Sequence, residues 1–150
     1  MDAQDDLHFT EYDTRVAGYA VIVRDGRILL TWYNGEGRGG VPCWSLPGGG
    51  VDFDESVEDG ILREAYEETG YRIELLRPLG TDSLTRTQGF HGRPFKSVRI
   101  FYEARVVGGT LGVVEVGGST DKAEWLELAA MPQERYSDIV IAALEALAKR

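Results

Sequence analysis

The sequence predicts a single domain of the α/β (α+β) class, with strands and two helices mixed along the chain. Its 150 residues match the length of one domain, for which the prior is about 100–200 residues. Hydrophobic residues make up 43% of the chain, enough to bury a core. Apolar stretches typical of strands are interspersed with two stretches of helical periodicity. We expect residues 1–13 to be a flexible lead-in and residues 14–150 to form the domain.

The first part of the domain is predicted to contain two strands and two glycine-rich loops. Residues 17–24 and Arg27–Tyr33 read as strands, joined by a tight turn at Asp25-Gly26. Residues 34–42 and 47–50 are rich in glycine and include proline, which favours loops over element interiors.

Residues 56–69 are predicted to form the first helix. Ser56, followed three residues later by Asp59, resembles a capping arrangement, and Gly70 suits the position after the helix. Gly60 costs about 1 kcal/mol against alanine inside a helix, and a close approach to a sheet is one explanation for it. One face of this helix is apolar: Val57, Ile61, Leu62 and Ala65.

Further strands and a final helix are predicted in the second half. Strands are expected at residues 71–76, near Leu84, at 98–107 and at 123–128. A helix is expected from Ser137 onwards, with one apolar stripe facing the core. The stripe consists of Val140, Leu144 and Leu147.

The composition excludes several classes of protein. Sixteen basic residues against twenty-five acidic ones give a net charge of −9, which argues against a nucleic-acid partner because nucleic-acid binding favours a basic face. No apolar run approaches the roughly 18 residues that cross a bilayer, so no membrane partner is expected. Residues 1–13 carry five acids and no base, unlike a targeting peptide. Cys43 is the only cysteine, which favours a reducing compartment and predicts a cytoplasmic protein.

The negative charge is concentrated in residues 49–71, which hold eight acids and one base, or −7. Glu64, Glu67 and Glu68 occupy the last turns of the predicted helix, where the helix dipole disfavours negative charge. Carboxylates three and four residues apart repel by roughly 0.2–0.5 kcal/mol per pair. The arrangement is either a solvated surface or a cation site. Carboxylate oxygens favour Mg²⁺, Mn²⁺ or Ca²⁺ over Zn²⁺.

This segment resembles the box of the Nudix hydrolase family, G-x5-E-x7-R-E-U-x-E-E-x-G-U, in which U is a bulky aliphatic residue. The match runs from Gly49 through Glu55 to Tyr71, and every charged and glycine position agrees. The departures are Ala65 and Tyr71 at packing positions. The resemblance implies a Nudix-type αβα sandwich with a mixed sheet, a helix from the box and a C-terminal helix.

The resemblance implies Mg²⁺- or Mn²⁺-dependent hydrolysis of a pyrophosphate bond in a nucleoside diphosphate linked to another moiety. It carries the metal ligands over to Glu64, Glu67 and Glu68, with the backbone carbonyl of Gly49 as a further ligand. A bound metal also explains how an acidic protein tolerates an anionic substrate.

The resemblance further implies that Arg63 and Glu55 form an orienting ion pair. For the general base, Glu64 is the first candidate and Glu67 the second. Glu103, on a later strand, is a candidate for an outlying metal ligand or base, and the alternative is an outward-facing strand residue.

A basic stretch follows the box and is predicted to contact substrate. Arg86, Arg93, Lys96 and Arg99 fall in a segment without acids, with Phe90 among them. A loop over the site would offer these cations to phosphates and the ring to a nucleobase. The alternative is an exposed loop with ordinary basic residues.

Two functions therefore remain open on the sequence alone. The first is a pyrophosphohydrolase whose small-molecule substrate is a nucleoside triphosphate or a nucleotide sugar. The second is a non-catalytic Nudix-like module that binds a nucleotide. The intact set of acids favours the enzyme. The oligomeric state is left open, with a homodimer as one option.

Overall fold

A computed structural model describes residues 6–36, 40–89, 91–131 and 135–149. Within these residues the chain forms eight strands and two α-helices, with a short 3₁₀ turn at Leu128–Ala130. In chain order the elements are β1 (Asp13–Val21), β2 (Val23–Arg24), β3 (Arg27–Tyr33), β4 (Cys43–Ser45), β5 (Gly48–Gly50), α1 (Val57–Thr69), β6 (Tyr71–Arg86), β7 (Phe95–Gly109), β8 (Thr120–Glu127) and α2 (Asp138–Ala148).

The strands form two sheets. The first has the order β5-β1-β7-β6, and in the second β3 pairs with β2, β4 and β8. β1 and β7 run parallel, whereas the other pairs in both sheets are antiparallel. The predicted mixed sheet is therefore confirmed.

The two helices cover opposite faces of the first sheet, which confirms the expected αβα layering. Ile61 of α1 is fully buried and packs in a cluster with Ala20 of β1. Val140 of α2 is equally buried and packs with Ala17 and Phe101. Since neighbouring residues of a strand point to opposite faces, Ala17 and Ala20 face different helices. The apolar stripe predicted for the C-terminal helix packs on this core as expected.

Several element boundaries differ from the sequence prediction. β1 begins at Asp13, and the strand predicted at 17–24 is divided between β1 and β2, which lie in different sheets. The strands predicted at 71–76 and near Leu84 are one strand, β6, whose pairing with β7 shifts register at three points. These irregularities bend a single strand, so the sequence reads as two shorter ones.

The prediction of a loop at residues 47–50 is wrong for Gly48–Gly50, which pairs with β1 as β5. Gly48 has a φ of 143°, a conformation that favours glycine. A Cβ at this position would overlap the carbonyl oxygen of Gly18. The missing side chain therefore permits close strand pairing here instead of indicating a loop.

In the part of the chain that the structure describes, neither helix has the length and apolar character needed to cross a bilayer.

Candidate active site

The C-terminal half of α1 carries the glutamates that the sequence singles out. At its start the Ser56 hydroxyl accepts a hydrogen bond from the Asp59 amide at 3.1 Å. At its end Gly70 adopts a left-handed conformation and its amide donates to the Tyr66 carbonyl. No basic residue occupies the last turn, and Arg63, earlier in the helix, is the one base of α1.

The segment after β7 returns to the end of α1 and brings a fourth glutamate to the site. The Gly112 amide donates to the Thr69 carbonyl at 2.8 Å, and the amides of Val114 and Glu115 donate to the Glu67 carbonyl at 2.8 and 3.1 Å. These bonds satisfy carbonyls that a helix end leaves without partners. A cavity of about 160 Å³ opens here. Its lining includes Glu64, Glu67, Glu68 and Glu115.

Sequence reasoning missed Glu115, because it belongs to no recognisable spacing and lies far along the chain from the box. Backbone pairing with Glu67 places it beside the other carboxylates.

Arg63 and Glu55 form the ion pair that the resemblance implies. Arg63 Nη2 lies 2.6 Å from Glu55 Oε1, and Nε lies 3.0 Å from Oε2. Glu55 also accepts a hydrogen bond from the Asp52 amide at 2.9 Å. Hydrogen bonding to Arg63, helped by the Asp52 amide, lowers the pKa of Glu55 to about 2. On its other side Arg63 Nη1 contacts Glu64 at 3.2 Å and Glu67 at 3.3 Å.

Gly60 leaves space for the Glu55 carboxylate. A Cβ at Gly60 would lie 2.9 Å from Glu55 Oε1 and 3.4 Å from Val51 Cγ2. The glycine inside α1, which lowers helix propensity, is thus explained by close approach to the loop before the helix and not to a sheet.

Glu68 is held by two donors from other elements. Its Oε1 accepts from the Gly48 amide at 2.8 Å, and its Oε2 accepts from the Thr120 hydroxyl at 2.8 Å. Burial raises the pKa of Glu68 to about 8, with the charge of Glu64 adding to it and the two donors opposing it. Burial likewise raises the pKa of Glu64 and of Glu67, although Arg63 opposes both shifts.

The glutamate cluster, which consists of Glu64, Glu67, Glu68 and Glu115, offers the oxygen donors that hard divalent cations prefer. Within the described ranges, no group of three or more His, Cys, Asp or Glu side chains is placed so that it could hold a metal ion. Glu64 and Glu67 are drawn towards Arg63, and Glu68 is fixed by Gly48 and Thr120. Oxygen-only donors suit Mg²⁺ or Mn²⁺, and burial, which raises the pKa of Glu64, Glu67 and Glu68, makes a neutralising cation favourable there. The donor chemistry of these residues therefore fits such an ion, although their side chains are placed on Arg63, Gly48 and Thr120 and not around a common point.

A larger cavity of about 470 Å³ adjoins the cavity of about 160 Å³ beside α1, which we call the glutamate cavity. The two cavities share Glu64 and Glu68 in their linings. We call the larger one the main cavity. The second sheet and the start of α2 contribute polar and aromatic groups to its lining, among them Thr31, Tyr33, Ser45 and Ser137. β5 forms another part of the wall, and Arg15 and Arg99 add positive charge.

The basic stretch does not form the predicted loop over the box. Arg86 ends β6 and Lys96 lies in β7, and both line a separate cavity of about 350 Å³ with Leu7 and Tyr12. Arg93 lies 3.1 Å from the Asp13 carboxylate and donates to the Thr10 carbonyl. Arg86 and Lys96 lie on paired strands and Arg93 lies between them, so the cations are dispersed. The candidate Phe90 lies outside the described residues.

Of the predicted substrate-binding residues that the structure describes, Arg99 alone lines the main cavity. It is only 7% exposed and its charge is already paired. Its guanidinium contacts Asp82 at 2.6 and 2.9 Å and Asp138 at 2.8 Å.

Glu103 is not brought to the box. It lies on β7 and accepts from Arg77 Nε at 2.8 Å. It lines neither the glutamate cavity nor the main cavity. Its neighbour Tyr102 contacts Glu58 of α1, and neighbouring residues of a strand point to opposite faces of the sheet. Glu103 therefore points to the face away from α1, and the sheet separates it from the box glutamates.

Comparisons with known proteins agree with this geometry. A sequence model described as the NUDIX domain matches residues 13–144. An ADP-ribose pyrophosphatase of Methanocaldococcus jannaschii is 32% identical over 119 residues, covering 79% of this chain and 64% of that protein. A MutT-like protein of Streptomyces ambofaciens is 41% identical over 64 residues, covering 43% of this chain and 38% of that protein.

A solved structure is similar over nearly its whole length. The crystal structure of a MutT NUDIX hydrolase from Burkholderia pseudomallei superimposes with a TM-score of 0.75 at 33% identity, covering 90% of this chain and 98% of that one. The chain spans less than two thirds of the length of the curated relatives named above.

Proposed function

The chain belongs to the Nudix family, and on that premise we propose that it hydrolyses a pyrophosphate bond in a nucleoside diphosphate linked to another moiety, using Mg²⁺ or Mn²⁺. A nucleoside triphosphate or a nucleotide sugar is the favoured substrate. One observation carries this proposal: a cavity whose lining includes four glutamates adjoins a larger cavity that has the size of a ligand site, and the two share Glu64 and Glu68.

Glu64, Glu67 and Glu68 would hold the metal, together with the backbone carbonyl of Gly49. A Cβ at Gly49 would lie 3.3 Å from the Glu64 carboxyl carbon, so this backbone and the carboxylate are close neighbours. A divalent ion neutralises the pyrophosphate, aligns the attacking water and stabilises charge on the leaving oxygen.

Glu64 is our first candidate for the general base, and Glu67 is the second. Glu64 lines both the glutamate cavity and the main cavity. Glu67 lines the glutamate cavity but not the main cavity. A base must reach the water that attacks the substrate, which favours the residue at the junction. Arg63 and Glu55 are positioning residues that fix where Glu64 and Glu67 point.

The test is a nucleotide panel assayed for phosphate release with and without Mg²⁺. The panel contains nucleoside triphosphates, ADP-ribose, NADH, nucleotide sugars and dinucleoside polyphosphates. We expect Mg²⁺-dependent turnover of at least one class. Silence across the panel, with nucleotide binding retained, would favour the non-catalytic module instead.

Glutamine variants assign the site within the same assay. We expect Glu64→Gln and Glu68→Gln each to lower kcat by about 10²–10⁴-fold, the range of one acid–base group. Glu58→Gln is the matched control on the same helix, because Glu58 contacts Tyr102 at 2.6 Å and lies away from the cluster. Unchanged turnover and metal dependence in both site variants would contradict the assignment.

We also propose that residues 14–150 act as one domain in the cytoplasm. The family match over residues 13–144 supports the domain limits. The single thiol of Cys43 is buried and free, which suits a reducing compartment. Subcellular fractionation of cells that express the protein tests the location.

A further inference from the structure

In the part of the chain that the structure describes, two guanidinium groups line the main cavity, those of Arg15 and Arg99, and they differ in what neutralises them. Arg99 is buried between Asp82 and Asp138, with contacts of 2.6 to 2.9 Å. Two carboxylates therefore already compensate its charge. Among the described residues, no ion pair joins Arg15, the other cation of the lining, to a carboxylate.

Arg15 lies against β5, the strand in which the box begins. A Cβ at Gly50 would lie 3.3 Å from Arg15 Nη2 and 3.5 Å from Nε. The absence of a side chain at Gly50 thus leaves room for the guanidinium beside the backbone of β5. Arg15 also forms a hydrogen bond with Tyr19, which opposes the rise in pKa that burial gives the Tyr19 hydroxyl.

The sheet register places this cation close to the glutamates. In the β1–β5 pairing, Ala17 lies opposite Gly50 and Gly18 lies opposite Gly49. Arg15 is two residues before Ala17 and on the same face, because side chains alternate along a strand. Gly49 in turn adjoins the Glu64 carboxylate. The main cavity therefore has carboxylates on one side of β5 and an uncompensated cation on the other.

A polyphosphate suits such a cavity. A metal bound by the carboxylates would neutralise part of the charge of the polyphosphate. The non-bridging oxygens of its other phosphates would remain negative. Arginine binds such oxygens through two parallel N–H donors, and its charge persists at any physiological pH. A guanidinium that is half-exposed and free of carboxylates needs no ion pair to be broken before it binds.

We propose that Arg15 is a substrate-binding residue that holds non-bridging phosphate oxygens of the nucleotide against β5. This rests on the proposed function, since it assigns a role within the same site. The ligand class is a nucleotide with at least two consecutive phosphates. The sequence-predicted cations Arg86, Arg93 and Lys96 have no part in it.

Binding of a non-hydrolysable nucleotide tests the proposal without relying on turnover. Isothermal titration with α,β-methylene-ATP in the presence of Mg²⁺ compares the wild type with Arg15→Gln and Arg15→Lys. Hydrogen bonds to charged groups predict that Arg15→Gln raises Kd by about 10–100-fold. Arg15→Lys should recover part of the loss, because lysine keeps the charge and loses the planar fork.

Kinetics separates a binding role from a structural one. On the substrate that the panel identifies, Arg15→Gln should raise KM by a similar factor, with kcat and the half-saturating Mg²⁺ concentration nearly unchanged. Arg105→Gln is the control, because Arg105 is an exposed strand arginine paired with Glu74 at 2.8 Å. Thermal unfolding of each variant checks that the fold is kept.

Each outcome bears on the proposal. An unchanged Kd in Arg15→Gln, with a wild type that binds the analogue, would overturn the role of Arg15 and leave the proposed function standing. A fall in kcat with Kd unchanged would also overturn it. A wild type that neither hydrolyses the panel nor binds the analogue would overturn both.

Discussion

Arg63 donates to three carboxylates and so determines where the glutamates of α1 point. Two of its nitrogens hold Glu55, and a third contacts both Glu64 and Glu67. Lysine carries the same charge, but its single ammonium group cannot span these directions. The orientation of the box carboxylates therefore depends on the shape of this side chain as well as on its charge.

Glu115 is expected to contribute to metal binding even though it lies outside the box. Its backbone is fixed to Glu67, and its side chain shares the cavity of the box glutamates. We expect Glu115→Gln to raise the half-saturating Mg²⁺ concentration by about 10–100-fold, the range for residues that support a metal site. A Mg²⁺ titration of activity measures this, with Glu124→Gln as the surface control. An unchanged titration curve would contradict the prediction.

At the scale of the element, α1 combines a weak helix former with a positioning role. Gly60 lowers helix propensity by about 1 kcal/mol relative to alanine, yet its missing Cβ leaves room for Glu55. Local stability of the helix and placement of the ion pair therefore make opposite demands on this position.

Gly60→Ala should separate these demands. We expect the free energy of unfolding to stay level or rise, while activity falls by about 10–100-fold because the Glu55 carboxylate is displaced from Arg63. Chemical denaturation and steady-state kinetics measure the two effects. In a Glu55→Gln background the added alanine should cost little further activity, as expected for one shared interaction. Equal losses in both backgrounds would point to another cause.

The start of α2 is tied to the first sheet by the Asp138–Arg99 contact. Burial alone would raise the pKa of Asp138, but the hydrogen bond and charge of Arg99 outweigh it, and the pKa is lowered. A depressed carboxylate pKa stabilises the fold above the unfolded value of about 3.9. That contribution is lost as the pH falls through the folded-state pKa.

The variant Asp138→Asn should therefore be less stable than the wild type near pH 7, with a difference that shrinks below about pH 4. Solvent screening limits the difference to about 1 kcal/mol or less, because the Asp138 side chain is 62% exposed. Urea unfolding at several pH values measures it. Asp59→Asn, in the first turn of α1, controls for loss of an acid at a helix start. If the stability difference between Asp138→Asn and the wild type stayed constant with pH, the ion pair would be excluded as its source.

The sequence predicted α1 and α2 well and the strands less well. Ser56 and Gly70 act through contacts close along the chain, and the stripe that includes Val140 repeats within one helix, so spacing reveals all of them. The positions of Glu115 and Arg15 depend on pairing between distant strands, which spacing does not reveal. Gly48 was misleading, because the absence of a side chain permits a tight strand pair as well as a turn.

For the whole molecule, the net charge of −9 is unevenly distributed, and the acidic residues are densest in the segment that forms the candidate site. A ligand that binds only the folded state stabilises it by mass action. We expect Mg²⁺ at 100 times its Kd to raise the free energy of unfolding by about 2.7 kcal/mol, and EDTA to reverse the gain. Thermal unfolding with KCl at matched ionic strength controls for general screening.

The same titration with Glu68→Gln locates the effect. This variant should lose most of the Mg²⁺-specific stabilisation and keep the response to KCl. A gain of equal size in the variant and the wild type would place the ion elsewhere on the surface.

The backbone bonds between the segment after β7 and the end of α1 also limit how this sequence can change. They use the amides of Gly112, Val114 and Glu115 and no side chain. Most substitutions at 112 and 114 therefore leave the helix end satisfied, whereas proline would remove a donor. A residue inserted or deleted before position 114 would shift Glu115 out of the cavity. Functional variants are therefore expected to keep the length of this segment and to lack proline at positions 112 and 114. The identity of the side chains at these two positions matters less.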